Sequence, residues 1–154
     1  MNKKILVVDG NADAAKLADV FRMRYTSSNV KVFKNLCDLE YYIEDEDNRQ
    51  NIGVLILDMT MNSRELDEDL RAEARQIGFS GWIFYDKVLK KEYKDLYDKT
   101  ILYTSFTDEF TNMLFKYKYV RTQEEFNKIP ILHKKNEGLI EKAKEMVERL
   151  LKSQ

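Results

Sequence analysis

Apolar residues gather in five short runs along the chain: ILVV (5–8), VKVF (30–33), VLIL (54–57), ILYT (101–104) and IPIL (129–132). Two of the runs are nearly continuous and β-branched, as strands buried on both faces of a parallel sheet are. The stretches between them repeat their apolar positions at helical spacing instead. Ala14, Leu17, Ala18, Phe21 and Tyr25 fall on one helical face, and Ile140, Ala143, Val147 and Leu150 on another. The segments NLCDLEYYIEDE (35–46) and GWIFYDKVLKKEYKDL (81–96) also read as helices. Strand and helix alternate from end to end, which predicts an α/β domain with a doubly wound parallel sheet and helices on both faces. In such sheets ligands bind beyond the carboxyl ends of the strands. The residues that follow each run are therefore the place to look for chemistry.

Asp9 follows the first run, in KKILVVDGN. Asp58 ends VLILD, Thr104 and Ser105 close ILYTS, and Lys134 follows ILH. Two carboxylates, a hydroxyl and an ammonium on one edge suit phosphoryl transfer. The carboxylates can hold Mg²⁺, which favours hard oxygen ligands and keeps several waters. One carboxylate can attack phosphorus and become an acyl phosphate. The metal and the lysine neutralise charge on the transferring group. Taken singly each residue has a plainer role, since an Asp after a strand commonly forms a turn or caps a helix. The information lies in the joint pattern.

Composition narrows the class. The 154 residues are 44% apolar and 34% charged, the balance of one globular domain spanning 1–154. A net charge of −1 supplies no field for nucleic acid, and the basic–aromatic alternation of KYKYVR is a weak signal against that background. The lone cysteine, Cys37, excludes an internal disulfide and fits a reducing compartment. No apolar run approaches the roughly 20 residues of a membrane span, and ILVV is too short for a signal-peptide core. A cytoplasmic protein without nucleic-acid or membrane partners is expected.

The strand-end pattern resembles the receiver domain of two-component response regulators. KKILVVDG is similar to that family's opening strand and acidic pair, VLILDMTM to its phosphoacceptor strand, and ILYTS to the strand carrying its switch hydroxyl. ILHKK is similar to the strand that ends in its lysine. The resemblance covers nearly the whole chain. It implies a flavodoxin-like five-stranded sheet in the order 2-1-3-4-5, to which this chain adds a helix inserted after strand 3, over about residues 62–80. It implies that Asp58 is the phosphoacceptor and that Thr104 and Lys134 are the switch hydroxyl and phosphate-sensing cation. Asp9, Asp58 and the backbone carbonyl of Thr60 would be ligands for Mg²⁺. The implied function is a stand-alone phosphorelay switch rather than an enzyme. Its partners would be a histidine kinase or phosphotransfer protein and a downstream protein target.

The chain also departs from the family pattern. The second acid of the pair is replaced by Gly10, which predicts weaker metal binding and slower phosphorylation. Asp58 and Gly81 lie 23 positions apart where the family has a short loop. The intervening residues read as a helix capped by Asn62, with Glu65 in a capping box and a stripe of Leu66, Leu70, Ala74 and Ile77. An insert acid, Asp67 or Glu68, is a candidate for the missing metal ligand, as are Asn11 and Asp13. Ile131 occupies the usual aromatic switch position, and Lys135 follows Lys134 where proline is common. Gly10 and the enlarged loop favour a rival, a phosphorylation-independent pseudo-receiver acting in protein–protein interaction, which Asp58, Thr104 and Lys134 together oppose. A metal-dependent phosphohydrolase is a second rival, without a motif to support it. His133 is expected at a strand end near the surface, and Cys37 as a small buried hydrophobe.

Overall fold

The computed structural model describes residues 3–11, 13–26, 29–135 and 137–154; the side chains of residues 13 and 14 lie outside the described set. Five strands form one parallel sheet: β1 (Lys4–Val8), β2 (Val30–Phe33), β3 (Ile52–Asp58), β4 (Thr100–Thr104) and β5 (Ile131–His133). Their order is β2-β1-β3-β4-β5, the doubly wound order expected from the resemblance. Alternate residues of each strand point to opposite faces, and here both faces are covered. Ile5 and Val7 enter one core cluster with Val54, Ile56 and Ile101, whereas Leu6 and Val8 enter a second with Leu55, Leu57 and Leu102. That double burial explains why β3 is buried at every position and reads as a continuous apolar run.

Two long helices, α1 (Asp13–Arg24) and α10 (Leu139–Lys152), cover the first face through Leu17, Ala18, Phe21, Ala143 and Val147. Ile140 departs from the expected buried face and is 45% exposed, whereas Leu150 packs at the cluster's edge. Ala14 lies outside the described side chains. The second face carries more elements. The segment expected as one helix over 35–46 is two, α2 (Leu36–Glu44) and α3 (Glu46–Gln50). The break falls at Asp45, which leaves helical geometry so that its carboxylate accepts the N–H groups of Asp47 and Asn48. The next is the insert: a 3₁₀ turn (Ser63–Glu65) and α4 (Glu68–Ile77), closed by Gly78 in the left-handed conformation that glycine supplies at helix ends.

The insert's details differ from the expected capping box. The Asn62 side chain accepts the Arg64 N–H and caps only the 3₁₀ turn. The Glu65 carboxylate reaches across 29 positions to accept the Leu36 N–H at 3.1 Å, so it caps the start of α2. Leu66, Ala74 and Ile77 are buried in the second core cluster and Leu70 packs against it, so the stripe anchors α4 to the domain. Cys37 is exposed, a correction to its expected burial, and its thiol donates to the Glu65 carbonyl at 3.3 Å. The helix expected over 81–96 is four pieces: α5 (Ser80–Ile83), a π-helical stretch (Phe84–Leu89), α6 (Lys90–Glu92) and α7 (Lys94–Tyr97). Beyond β4 lie α8 (Thr107–Lys116) and α9 (Gln123–Asn127). Among the described residues no helix is long and apolar enough to cross a membrane.

Candidate functional site

Strand register brings the sequence-predicted residues to one edge. Val8 pairs with Leu57, Asp58 with Tyr103, and Thr104 with His133. Asp9 and Asp58 therefore each lie one residue past the same rung of the sheet. The ladder continues beyond the strands: the Asp9 N–H donates to Phe33 O at 3.0 Å, the Met59 N–H to Tyr103 O at 3.0 Å, and the Lys134 N–H to Thr104 O at 2.8 Å. Asp9 keeps the parity of Val7, Asp58 that of Ile56, and Lys134 that of Leu132. All three of those apolar residues belong to the same cluster, so the three polar side chains are sent to the same face of the sheet.

They meet as a buried triad. Lys134 Nζ donates to Asp9 Oδ2 at 2.9 Å and to Asp58 Oδ2 at 3.0 Å. The other carboxylate oxygens are held by the backbone: the Asn11 N–H donates to Asp9 Oδ1 and the Thr60 N–H to Asp58 Oδ1, each at 2.9 Å. Both aspartates are 0% exposed and the Lys134 side chain is 7% exposed. The ammonium also sits 4.6 Å from the centre of the Tyr103 ring, a cation–π contact. Burial, followed by a hydrogen bond shared with Asp9, pushes the Asp58 carboxyl up to about 6, against the pull of the Thr60 N–H and Lys134. Burial alone would lower the Lys134 ammonium, but the two carboxylates outweigh it and hold it above its ordinary value.

The donor set suits a hard cation that keeps much of its water. Asp9, Asp58 and the Thr60 carbonyl offer oxygen ligands, and Mg²⁺ is commonly held by one or two carboxylates. Gly10 brings no third acid. The insert does not supply one either: among the described residues no group of three or more acids, histidines or cysteines is placed to hold a metal ion. Glu65 is engaged at α2, and Asp67 lies at the start of α4, where its charge raises the proton affinity of Glu40 on α2 after burial has done so. The expectation that Asp67 or Glu68 replaces the missing ligand is corrected accordingly. Asn11 meets Asp9 through its backbone N–H. The Asp13 side chain lies outside the described residues.

Thr104 is fully buried, but its Oγ1 accepts the Phe106 N–H at 3.0 Å and makes no hydrogen bond to the triad. It follows the parity of Leu102, in the opposite cluster. His133 ends β5 half-buried, its Nδ1 2.7 Å from Thr107 Oγ1; burial and then Lys142 hold its pKa below the ordinary value. Two site neighbours were not legible in the sequence. Tyr103, read as core, lies under the ammonium. Gly81, read as a helix opener, donates its N–H to Met59 O at 2.9 Å and lies against the Asp58 backbone so closely that a Cβ would overlap it.

No family model matches the chain, and no curated protein sequence matches it. Among solved structures it is similar to the response regulator DrrB of Thermotoga maritima, an OmpR/PhoB homolog, with a TM-score of 0.56 and 20% identity. The likeness covers 97% of this chain and 54% of that one, so this chain spans about half the length of DrrB. At that identity the likeness is one of fold, and it agrees with the observed strand order.

Proposed function

We propose that the chain is a receiver-type switch of two-component signalling in the cytoplasm, with Asp58 accepting a phosphoryl group from a histidine kinase or phosphotransfer protein. The reading rests on one observation above all: a single buried lysine bonded to two buried carboxylates at the carboxyl edge of a doubly wound sheet. The fold shared with DrrB supports it. In the proposed step an Asp58 oxygen forms a bond to phosphorus as the bond to the donor's nitrogen breaks, and that nitrogen takes a proton. Magnesium held by Asp9, Asp58 and the Thr60 carbonyl would supply charge neutralisation when bound. Lys134 then faces a phosphoryl group in place of a carboxylate, and its hold on Asp9 loosens. Thr104, the last residue of β4, would turn its hydroxyl, which now accepts the Phe106 N–H, toward the new oxygens. The resulting shift between two pre-existing states would alter the surface presented to a downstream protein. The chemistry is that of a switch, not of a turnover enzyme.

A second reading is favoured by two observations. Asp58 has no exposed surface, and Gly10 removes one acid of the pair. Both suit a pseudo-receiver that binds a protein partner without phosphorylation.

One experiment separates these readings. The protein and Asp58→Asn are incubated with Mg²⁺ and acetyl phosphate, and intact mass is measured. A labile single-phosphate adduct absent from the variant supports the switch. Its absence at saturating Mg²⁺ supports the pseudo-receiver. Steady hydrolysis of a phosphate ester without a lasting adduct would point to the phosphohydrolase instead.

A further inference from the structure

A cavity of about 400 Å³ opens beside the triad, between the start of α1, the end of β4 and the connection from β5 to α10. Among the described residues three lysines line it, Lys16, Lys134 and Lys135, together with Ser105, and no carboxylate does. Lys134 is common to the cavity and the triad. Lys16 and Lys135 are exposed, and among the described residues neither forms an ion pair. Counted with the cavity, the described residues of the site set three ammonium groups against the carboxylates of Asp9 and Asp58. Two departures noted in the sequence act in the same direction: Gly10 removes an acid and Lys135 adds a base. Leu17 and the half-exposed Ile140 add apolar surface to the same lining.

We propose that this cavity is a docking subsite for a phosphate-bearing anion with a small organic body. Lys16 and Lys135 hold the oxyanion as point charges, as lysines do for phosphate, and the Ser105 hydroxyl donates a hydrogen bond. Leu17 and Ile140 receive the organic part, and Lys134 borders both the cavity and Asp58. The role of the subsite in delivering phosphoryl to Asp58 rests on the receiver reading above; its capacity to bind the anion does not. A free acyl phosphate and a phosphoimidazole carried on a protein share this chemistry.

The test begins with binding alone. Inorganic phosphate is titrated at constant ionic strength, without Mg²⁺, into the wild type, Asp58→Asn and the double variant Lys16→Ala/Lys135→Ala, followed by amide NMR shifts. Saturable binding is expected in the first two, with shifts centred on residues 16, 105 and 135. In the double variant it should weaken about tenfold, the weight of two partly solvated ammonium contacts. Ser105→Ala, which leaves the charge unchanged, should weaken it less. The second arm measures initial rates of Asp58 labelling by acetyl phosphate and by phosphoimidazole, where the double variant should raise KM more than it lowers kcat. A preference for phosphoimidazole assigns the subsite to a protein-borne donor, and equal use to a free acyl phosphate. Phosphate binding that is absent in the wild type, or unchanged in the folded double variant, overturns the proposal. Binding as described with no labelling of Asp58 leaves the subsite standing and removes the receiver reading.

Discussion

Lys134 and Asp58 stand 76 positions apart in the chain, yet the lysine ammonium donates to Asp58 Oδ2 at 3.0 Å inside the protein. The same ammonium holds Asp9, so one cation answers two buried carboxylates. Removing one partner of a buried ion pair typically costs about 3–5 kcal/mol, because it leaves uncompensated charge behind. Lys134→Met should accordingly lower unfolding stability by about that much at pH 8. The loss should shrink near pH 5, where protonation of Asp58 relieves the repulsion. In the Asp58→Asn background the same substitution should cost less, the signature of direct coupling. Urea denaturation of the four proteins at both pH values measures this. A wild-type midpoint for Lys134→Met at pH 8 would show that the triad does not form in solution.

The direction of the Asp58 shift gives a second expectation. Its carboxyl is pushed from 3.8 up to about 6, burial being the largest cause. The folded state therefore binds this proton more tightly than the unfolded state. The resulting stabilisation is present in full below the unfolded value and is lost as pH rises through about 6. One pKa unit corresponds to about 1.4 kcal/mol, and tighter binding of the Lys134 proton offsets part of the effect. Asp58→Asn, which cannot ionise, should be more stable than wild type by about 1–3 kcal/mol at pH 7.5. The gain should fade as the pH is lowered toward 4. Melting temperatures of both proteins across this range decide the point, and a gain independent of pH would contradict it.

Much of this site was readable from the chain because sheets have a period of two. Once Ile5, Val7, Val54 and Ile56 are assigned to one face, Asp9 and Asp58 must follow them to it, and Lys134 follows Leu132. Thr104 shows the limit of reading strand ends without parity: it closes β4, but its side chain belongs with Leu102, and the Phe106 N–H takes its hydroxyl. The insert was legible as amphipathic but not in its partners. The carboxylate of Glu65 satisfies α2, 29 positions earlier, and no local pattern encodes that distance. The break at Asp45 was missed for a related reason. Apolar periodicity runs through it, while the side chain's competition for backbone N–H groups ends one helix and begins another.

Gly10 is a chemical departure rather than a steric necessity. Among the described residues a Cβ added there would meet only the Lys34 carbonyl oxygen at 3.5 Å, an ordinary contact, and the backbone is not in the left-handed region. Asp fits the position without strain and places a third carboxylate beside Asp9. Gly10→Asp should fold like the wild type and bind Mg²⁺ about tenfold more tightly, the weight of one added carboxylate ligand at a partly solvated site. Titration of Mg²⁺ by calorimetry compares the two directly. Labelling of Asp58 by acetyl phosphate should then saturate at lower Mg²⁺. Equal affinity in the two proteins would mean that position 10 does not face the metal.

Gly81 is the opposite case. Its N–H bonds to Met59 O, and a Cβ there would overlap the Asp58 carbonyl oxygen and lie 2.7 Å from Met59 Cα. Both obstacles are backbone, so neither can swing aside as a flexible side chain does. Gly81→Ala must part α5 from the end of β3, at a cost of at least about 2 kcal/mol. The displacement falls on Asp58 itself, whose backbone is the surface pushed. The next residue, Trp82, is the chain's one tryptophan and is buried among Tyr85, Phe110 and Tyr119. Its emission therefore reports on this contact without a label. In Gly81→Ala the emission should shift to the red under native conditions, and its unfolding transition should move to lower urea. Asp58 labelling should change in rate as well, since the carboxylate no longer sits where Lys134 holds it. A variant with wild-type emission and midpoint would show that α5 does not press on the end of β3.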